Sequence, residues 1–438
     1  MKRIISEFKQ KIRRKKLKIA VVGLGYVGLP LACEFAKKGF SVYGIEVDKD
    51  RLRLLKQNKS YISDVSAQAI NKVIKSGKLK PSSDFRFIKD VDVVLVCVPT
   101  PLKRGYQPDI SYITSAVKSI ARNLKRGSLV IIESTTYPGT TEEEILPIFK
   151  RCRFNPPYDI YLCFSPERID PGNKVYSLNS IPKIVGGINK ESTQLARLVY
   201  KIIIKNIHCV SSTRAAEATK LLENTFRLVN IGLIDEMAMM AHKMGLDIWE
   251  IINAAATKPF GFMKFYPSAG VGGHCIPKDP LYLYWKAQHF GFHPHFIKLA
   301  SKITSLMPAY IVKRLQETLK SRRKFLSDSR ILIIGVTYKR DIKDLRKSPA
   351  LDIINILKEK NVRVDYYDPL IPYLKINQIN LKAIRLNAAN LAKFDCVIII
   401  TDHSKINYHF LLRHSSLIFD TRNVYAKVKH KYQKIIIL

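Results

Sequence analysis

The stretch GVGGHCIPKDP, residues 270–280, holds Cys275 between a glycine pair and a Pro-Lys-Asp-Pro turn. Such flanks fix a tight backbone around one small side chain. A thiol with a pKa of about 8.5 is only a few per cent thiolate at neutral pH, yet it is a strong nucleophile, and a nearby lysine or a ring of backbone N–H groups raises its reactive fraction. Taken alone, the loop marks a restrained cysteine and leaves a structural role open. A second constellation stands near the N-terminus, where Gly23, Gly25 and Gly28 form G-x-G-x-x-G between a strand-like apolar run and a helical one. The first glycine permits the turn, the second lets the backbone approach a diphosphate, and the third lets helix meet strand. Glu46 ends the next apolar run, where a carboxylate can hold both hydroxyls of an adenosine ribose and would repel a 2′-phosphate. The pattern therefore predicts NAD rather than NADP. Asp48 stands near enough for the same task, so one of the two acids is expected to be an ordinary strand-end acid.

Ligands of open α/β sheets lie outside the carboxyl ends of the strands. By that rule PTP (99–101), STT (134–136) and SPER (165–168) reach one crevice. Within STTYPGTTEEE, Pro138-Gly139 reads as a turn, Thr140 or Thr141 as a helix cap and Glu142 to Glu144 as its first turn. Ser134, Thr135 and Thr136 remain at the strand end, as does Glu167. Lys220 and Asn224 lie one helical turn apart and share a face. An ordinary helix surface would place that lysine beside Glu217 or Glu223. An NAD site, a nucleophilic cysteine and a separate lysine and glutamate together point to an oxidation passing through an acyl-thioester. His289, His293 and His295 lack a carboxylate or cysteine to complete a metal set, so no metal is expected.

Positioning these residues requires a sheet. KIAVV (18–22), SVYGIEV (41–47), VDVVLVCV (91–98), SLVIIE (128–133), DIYLCF (159–164) and PKIVGG (182–187) are predicted strands whose near-continuous hydrophobicity fits burial on both faces. From Arg214 to about Met244 the pattern is one uninterrupted helix; thirty residues at 1.5 Å each span roughly 45 Å, long enough to join domains and carry a subunit interface. RILIIGVTYK then repeats KIAVVGLG, and NILKEKNVRVDYYDP repeats EFAKKGFSVYGIEVD. The expected fold is two Rossmann-like doubly wound α/β domains joined by a central long-helix domain. Its segments are a basic arm at 1–16, an NAD-binding domain at 17–210, a helical domain with the cysteine loop at 211–320, and a nucleotide-type domain at 321–438.

Composition narrows the classes. The chain has 438 residues, 47% of them hydrophobic, and 74 Lys and Arg against 36 Asp and Glu give a formal net charge of +38. Most cations are scattered, KQKIRRKKLK (9–18) excepted, so the charge reads as solvated surface rather than a specific nucleic-acid site. Seven cysteines with no C-x-x-C pair argue against a disulfide framework or zinc site and for a reducing compartment. The basic arm followed by an apolar run to Cys33 has the outline of a secretory signal. The glycine offsets, Glu34 and the lysines behind it argue otherwise; with no credible membrane span, the protein reads as cytoplasmic.

VGLGYVGLPLA, VPTPL, ESTTYPGTTEE, SPERIDPG, GVGGHCIPKDPLYL, GVTYKRDIKDLRKSPA and FDTRNV occur in this order from about residue 17 to 425. In these motifs the chain resembles the nucleotide-sugar 6-dehydrogenases, which include UDP-glucose and GDP-mannose dehydrogenases. SPERIDPG and GGHCIP look like the branch acting on UDP-N-acetylhexosamines. The resemblance implies NAD-dependent four-electron oxidation of a sugar C6 alcohol to a carboxylate, with UDP-N-acetylglucosamine the expected substrate and UDP-N-acetylgalactosamine, UDP-N-acetylmannosamine or UDP-glucose the alternatives. Cys275 would capture the aldehyde, Lys220 with Asn224 would stabilise the C6 oxygen, Glu167 and Asp279 would handle proton and water steps, and Thr135 would position water. Gly23, Gly25, Tyr26, Val27, Gly28, Glu46, Arg51, Thr100, Thr135 and Arg346 would contact the cofactor. Glu167, Arg168, Lys220, Asn224, Phe265, Gly272, Gly273, Tyr338 and Lys339 would contact the UDP-sugar. A homodimer or larger homo-oligomer built around the long helix is implied, serving surface polysaccharide synthesis. Lys278 and Ser268-Ala269 depart from the family pattern.

Overall fold

The computed structural model describes residues 2–62, 64–156, 158–170, 172, 176, 178–376, 378–428 and 432–438; Pro171 of the SPERIDPG motif lies outside them. The chain divides into two compact units, Met1–Glu223 with Tyr282–Phe292, and Asn224–Leu281 with His293–Leu438.

The first unit is built on eight strands: β1 Lys18–Val22, β2 Ser41–Ile45, β3 Leu79–Ser82, β4 Val93–Val96, β5 Ser128–Ile132, β6 Ile160–Phe164, β7 Lys183–Gly187 and β8 Ile207–Cys209. Their order is β3-β2-β1-β4-β5-β6-β7-β8, the doubly wound arrangement with its reversal beside β1. Only β6 and β7 pair antiparallel. Alternation along each strand feeds two cores: Ile19 and Val21 enter one, Ala20 and Val22 the other, and Leu129/Ile131 and Val130/Ile132 divide likewise. The six predicted strands are present. β3 and β8 were not predicted, because edge strands need only one paired side and tolerate the Pro81 that would break a central strand.

Within the basic N-terminal arm, Lys2–Arg13 forms a helix. Phe8 is buried, and Ile4, Ile5 and Ile12 pack against the same core, a helical stripe that leaves the cations on the opposite face. Lys11 also reaches Asp92 at 2.8 Å, as does Lys125.

The second unit carries β9 Arg330–Ile334, β10 Arg363–Tyr367, the antiparallel hairpin β11 Tyr373–Ile376 and β12 Ile379–Lys382, then β13 Cys396–Ile399, β14 Ile418–Asp420 and β15 Ile435–Ile437. Its main sheet runs β10-β9-β13-β14-β15, all parallel. The long helix Thr213–Lys243 passes from the first unit into the second. Within the second unit it meets the helix His295–Ser321 closely: a Cβ on Gly232 would lie 3.0 Å from Ala300 Cα. Residues 211–320, the expected helical domain, contribute to both compact units. Ala269, Met307, Ile311 and Leu315 share one core with Ile331, Ile333 and Ile353, so the later helical segments and the second sheet pack as one body.

Candidate active site

In the first unit, β1 delivers the chain into the glycine turn. Gly23 has φ +88°, its N–H donates to Ile45 O at 2.8 Å, and a Cβ there would lie 2.7 Å from Cys97 O. A Cβ on Gly28 would lie 1.9 Å from Gly23 O. Both contacts demand glycine. Gly25 differs, since its nearest neighbour would be Arg51 Nη1 at 3.9 Å, and the turn is open there. Tyr26 and Val27 are half-buried along it, and no side chain caps the helix Gly28–Lys37. A helix start with no side-chain cap, beside open space at Gly25, fits a diphosphate.

The end of β2 separates the two acids. Glu46 is buried; its Oε2 accepts from Leu24 N at 3.0 Å, its Oε1 from Val47 N and Asp48 N, and Arg51 Nη1 lies 3.3 Å away. Asp48 instead caps the helix Lys49–Lys56 through Asp50 N and Arg51 N. Glu46 thus faces the glycine turn and Asp48 is the ordinary acid. Tyr61, which sequence reasoning passed over, donates its hydroxyl to Leu24 O at 2.6 Å and lies under the Arg51 guanidinium.

At the other strand ends, Ser134 Oγ donates to Val98 O at 2.8 Å, Thr135 is half-buried, and Thr100 O accepts from the Tyr282 hydroxyl. Glu167 Oε1 accepts from Arg168 N (2.6 Å) and Ile169 N (2.7 Å), while Oε2 faces Lys183 Nζ at 3.2 Å. Lys183 also contacts Glu133 at 2.5 Å, and Tyr200 donates its hydroxyl to Glu133. Burial pushes the Glu133 carboxyl up to about 7 despite Lys183. Burial opposes charge on Lys183, but Glu133 and Glu167 outweigh it and hold the ammonium above its ordinary range. Sequence reasoning missed this trio, although a lysine opening an otherwise apolar, fully buried strand was its visible signal.

Lys220 is where the ordinary reading of the helix face fails. Glu217 is engaged by Gly139 N, Thr141 N and Thr141 Oγ1 at 2.6 to 2.9 Å. Glu223 pairs with Arg168 Nη2 at 2.7 Å. Lys220 is buried, and among the described residues no carboxylate forms an ion pair with it. A buried ammonium without a counter-charge is costly and suits a site where negative charge arrives with a ligand.

In the second unit, Gly270 and Gly273 take φ +127° and +84° in the cysteine loop. Cβ atoms on Gly272 and Gly273 would lie 2.6 and 2.9 Å from Tyr338. Gly273 N donates to Arg346 O at 2.9 Å, and Cys275 O accepts from Lys278 N and Asp279 N. The Cys275 thiol is half-buried, 3.6 Å from His274 Nε2. Asn224 Nδ2 donates to Asp279 Oδ2 at 2.7 Å. Lys278 has a partner as well, its Nζ lying 3.6 Å from Asp279 Oδ1. Ser268 donates its N–H to buried Asp235 on the long helix at 2.8 Å; burial pushes that carboxyl up to about 8. Ala269 is in the core. Phe265 stacks edge-on with Phe226 at 5.9 Å, and Lys339 is half-buried. Arg346 grips Asp344 through Nε and Nη2. Among the described residues no group of three or more His, Cys, Asp or Glu is placed to hold a metal, and no helix is long and apolar enough to cross a membrane.

Comparison with known proteins agrees with this layout. Three models of the UDP-glucose/GDP-mannose dehydrogenase family match consecutively: the NAD binding domain over residues 17–204, the central domain over 214–305 and the UDP binding domain over 332–427. The UDP-N-acetyl-D-glucosamine 6-dehydrogenase of Pseudomonas aeruginosa is 41% identical over 81% of this chain and 83% of its own. The UDP-N-acetyl-D-mannosamine dehydrogenase of Pyrococcus horikoshii is 34% identical over 93% of this chain and 96% of its own. A solved structure of the Pyrococcus horikoshii UDP-D-ManNAc dehydrogenase superposes with a TM-score of 0.87, covering 96% of this chain and 98% of that one. With a glycine turn shaped for NAD in one unit, a second nucleotide-type sheet in the other and all three family models in order, the chain belongs to the UDP-glucose/GDP-mannose dehydrogenase family and is a nucleotide-sugar dehydrogenase of the UDP-N-acetylhexosamine type.

Proposed function

We propose that the chain oxidises the C6 hydroxyl of UDP-N-acetylglucosamine to the uronic acid through a thioester on Cys275. The supporting observation is Lys220: a buried ammonium that pairs with no carboxylate among the described residues, one helical turn before the Asn224 that holds Asp279. Lys220 stabilises the C6 oxyanion as it forms, and Asp279, fixed by Asn224, receives the departing proton. NAD supplies the hydride acceptor, two equivalents per acid formed. The Cys275 thiol adds to the C6 aldehyde: the C–S bond forms, the carbonyl electrons move to the oxygen held by Lys220, and the thiol's proton passes to that oxygen, giving a thiohemiacetal. After the second oxidation, Thr135 positions a water and Glu167 takes its proton; the water oxygen attacks the thioester carbon, the C–S bond breaks and Cys275 leaves as thiolate. Arg168, Phe265, Gly272, Gly273, Tyr338 and Lys339 bind the UDP-sugar. Gly23, Gly25, Tyr26, Val27, Gly28, Glu46, Arg51, Thr100 and Arg346 bind the cofactor. The long helix, with Phe226, Leu233 and Met240 exposed, forms a homodimer interface.

UDP-N-acetylmannosamine is the competing substrate, favoured by the near-complete coverage of the Pyrococcus horikoshii relative. Offering each UDP-hexose with NAD and following NADH separates the two. UDP-N-acetylglucosamine should give the highest kcat/KM with two NADH per sugar, and preference for another sugar overturns the assignment. Cys275→Ala should abolish acid formation; full carboxylate production by that variant sinks the thioester route.

A further inference from the structure

We propose that Lys183 and Glu133 are positioning residues that keep Glu167 ionised and aimed, so that it acts as a base rather than an acid. The inference rests on the reading of Glu167 as the group that activates water. Glu167 is the partly exposed end of a chain that runs inward through Lys183 and Glu133 to Tyr200, each of the last three being fully enclosed by protein. Its two oxygens are held independently: backbone N–H groups of Arg168 and Ile169 fix Oε1, and the Lys183 ammonium fixes Oε2. A carboxylate gripped by two N–H donors and a cation is held in its charged form. Three strand ends and one helix converge there. β5 leads to Glu133, β6 leads to Glu167, β7 opens with Lys183, and the helix Lys190–Tyr200 contributes the phenol. The ring of Tyr200 also lies 5.2 Å below the ammonium. Among the described residues, the thiol of Cys97 also faces the cluster, and burial keeps it neutral.

One cation thus serves two carboxylates, and the cluster accepts a first proton more readily than an isolated Glu–Lys pair would. Burial places that proton on Glu133, which is pushed up to about 7. Neither role is visible from Glu167 alone.

The test is the pH profile of NADH production by the full-length enzyme with NAD and UDP-N-acetylglucosamine. A base must be ionised, so activity falls as pH drops through the Glu167 pKa. Lys183→Met should move that acid limb up by about 1 to 2 pH units, the shift expected when an adjacent opposite charge is removed. Lys183→Arg should return it most of the way, and Glu133→Gln should not move it upward, since the amide resembles the protonated acid. The KM for NAD should stay within about twofold throughout, because the glycine turn is untouched. If Lys183→Met does not fold, Lys183→Gln decides: it removes the charge while keeping a polar partner for both carboxyls, and the limb should rise by about 1 unit. An acid limb unmoved in Lys183→Met or Lys183→Gln, or moved up equally by Lys183→Met and Glu133→Gln, overturns the proposal. Glu167→Gln separates the two levels: full acid formation there removes the catalytic reading of Glu167. Loss of activity there with an unmoved limb in Lys183→Met removes only the positioning role.

Discussion

The turns after β1 and after β9 have one backbone design and opposite fillings. In both, five strand residues pair in parallel with the neighbour to the edge side: Val22 stands opposite Ile45, and Ile334 opposite Tyr367. In both, a glycine follows with positive φ, +88° at Gly23 and +80° at Gly335, and its N–H donates to the last residue of that neighbour. In both, an acid comes next on the neighbour, Glu46 or Asp368, and accepts a backbone N–H from the turn. The difference lies two residues after the glycine. Gly25 is open, whereas Thr337 is buried, donating its hydroxyl to Lys339 O and standing 3.0 Å from His403 Nε2. The second turn is sealed by the protein's own groups, and its acid serves His403 instead of a ligand. A shared scaffold therefore leaves an open position in one unit and a filled one in the other, and only the first has room for a ligand beside its acid.

The largest test sets Gly28→Ala against Gly335→Ala. A Cβ at 28 would lie 1.9 Å from Gly23 O, and one at 335 would lie 2.2 Å from Thr401 O on a left-handed backbone. Gly28→Ala should weaken NAD binding by on the order of 100-fold or more, about 2.7 kcal/mol, measured by calorimetric titration. Gly335→Ala should leave NAD affinity within about twofold while lowering unfolding free energy by about 2 kcal/mol or more. Equal losses of NAD affinity would break the comparison.

The paired acids come next. Burial works against charge on Asp368, but hydrogen bonds from His403 and from Leu370 and Val336 N–H outweigh it and hold the carboxyl below its ordinary range. A carboxyl with a depressed folded pKa stabilises the fold above its unfolded value of about 3.9, and the contribution is lost as pH falls through the folded value. Asp368→Asn should therefore cost about 1 to 3 kcal/mol at pH 7, and its melting temperature should converge with the parent's as pH falls below about 4. Glu46→Gln should show itself in the cofactor instead, raising the KM for NAD roughly tenfold, or about 1.4 kcal/mol.

The frame common to both turns was legible in the sequence because it is local. Double-faced burial writes continuous Val and Ile runs, and the turn writes Gly at one offset, so the strands at 18–22 and 330–334 and their repetition could be read directly. The long helix was equally plain. Side-chain partnerships across sequence were not. Glu217 and Glu223 look like natural partners for Lys220 on a helical wheel, and only the fold shows them taken by Thr141 and Arg168. Ser268 and Lys278 departed from the family pattern without explanation until Asp235 and Asp279 appeared beside them. The Lys183 network escaped because its members come from four separate segments. The helix within the basic arm was not legible because charge hid its apolar stripe at Ile4, Ile5, Phe8 and Ile12.

The sharpest version of the comparison exchanges the filling and keeps the frame. Gly25→Ala adds a methyl group where the nearest protein atom is 3.9 Å away, so melting should be unchanged, and any loss belongs to the ligand. If the diphosphate backbone packs against this position, the methyl should raise the KM for NAD about three- to tenfold, up to about 1.4 kcal/mol. Thr337→Gly does the reverse. It removes the hydroxyl that reaches Lys339 O and the neighbourhood of His403, and it adds backbone freedom, so it should cost about 1 kcal/mol of stability with no change in NAD affinity. Opening that turn should not create a second NAD site, because Asp368 remains committed to His403 and the backbone of Val336. A second equivalent of NAD bound by Thr337→Gly would show that vacancy alone suffices. One equivalent, with a stable but weak-binding Gly25→Ala, would show that a cradle needs both the vacancy and an acid free to face it.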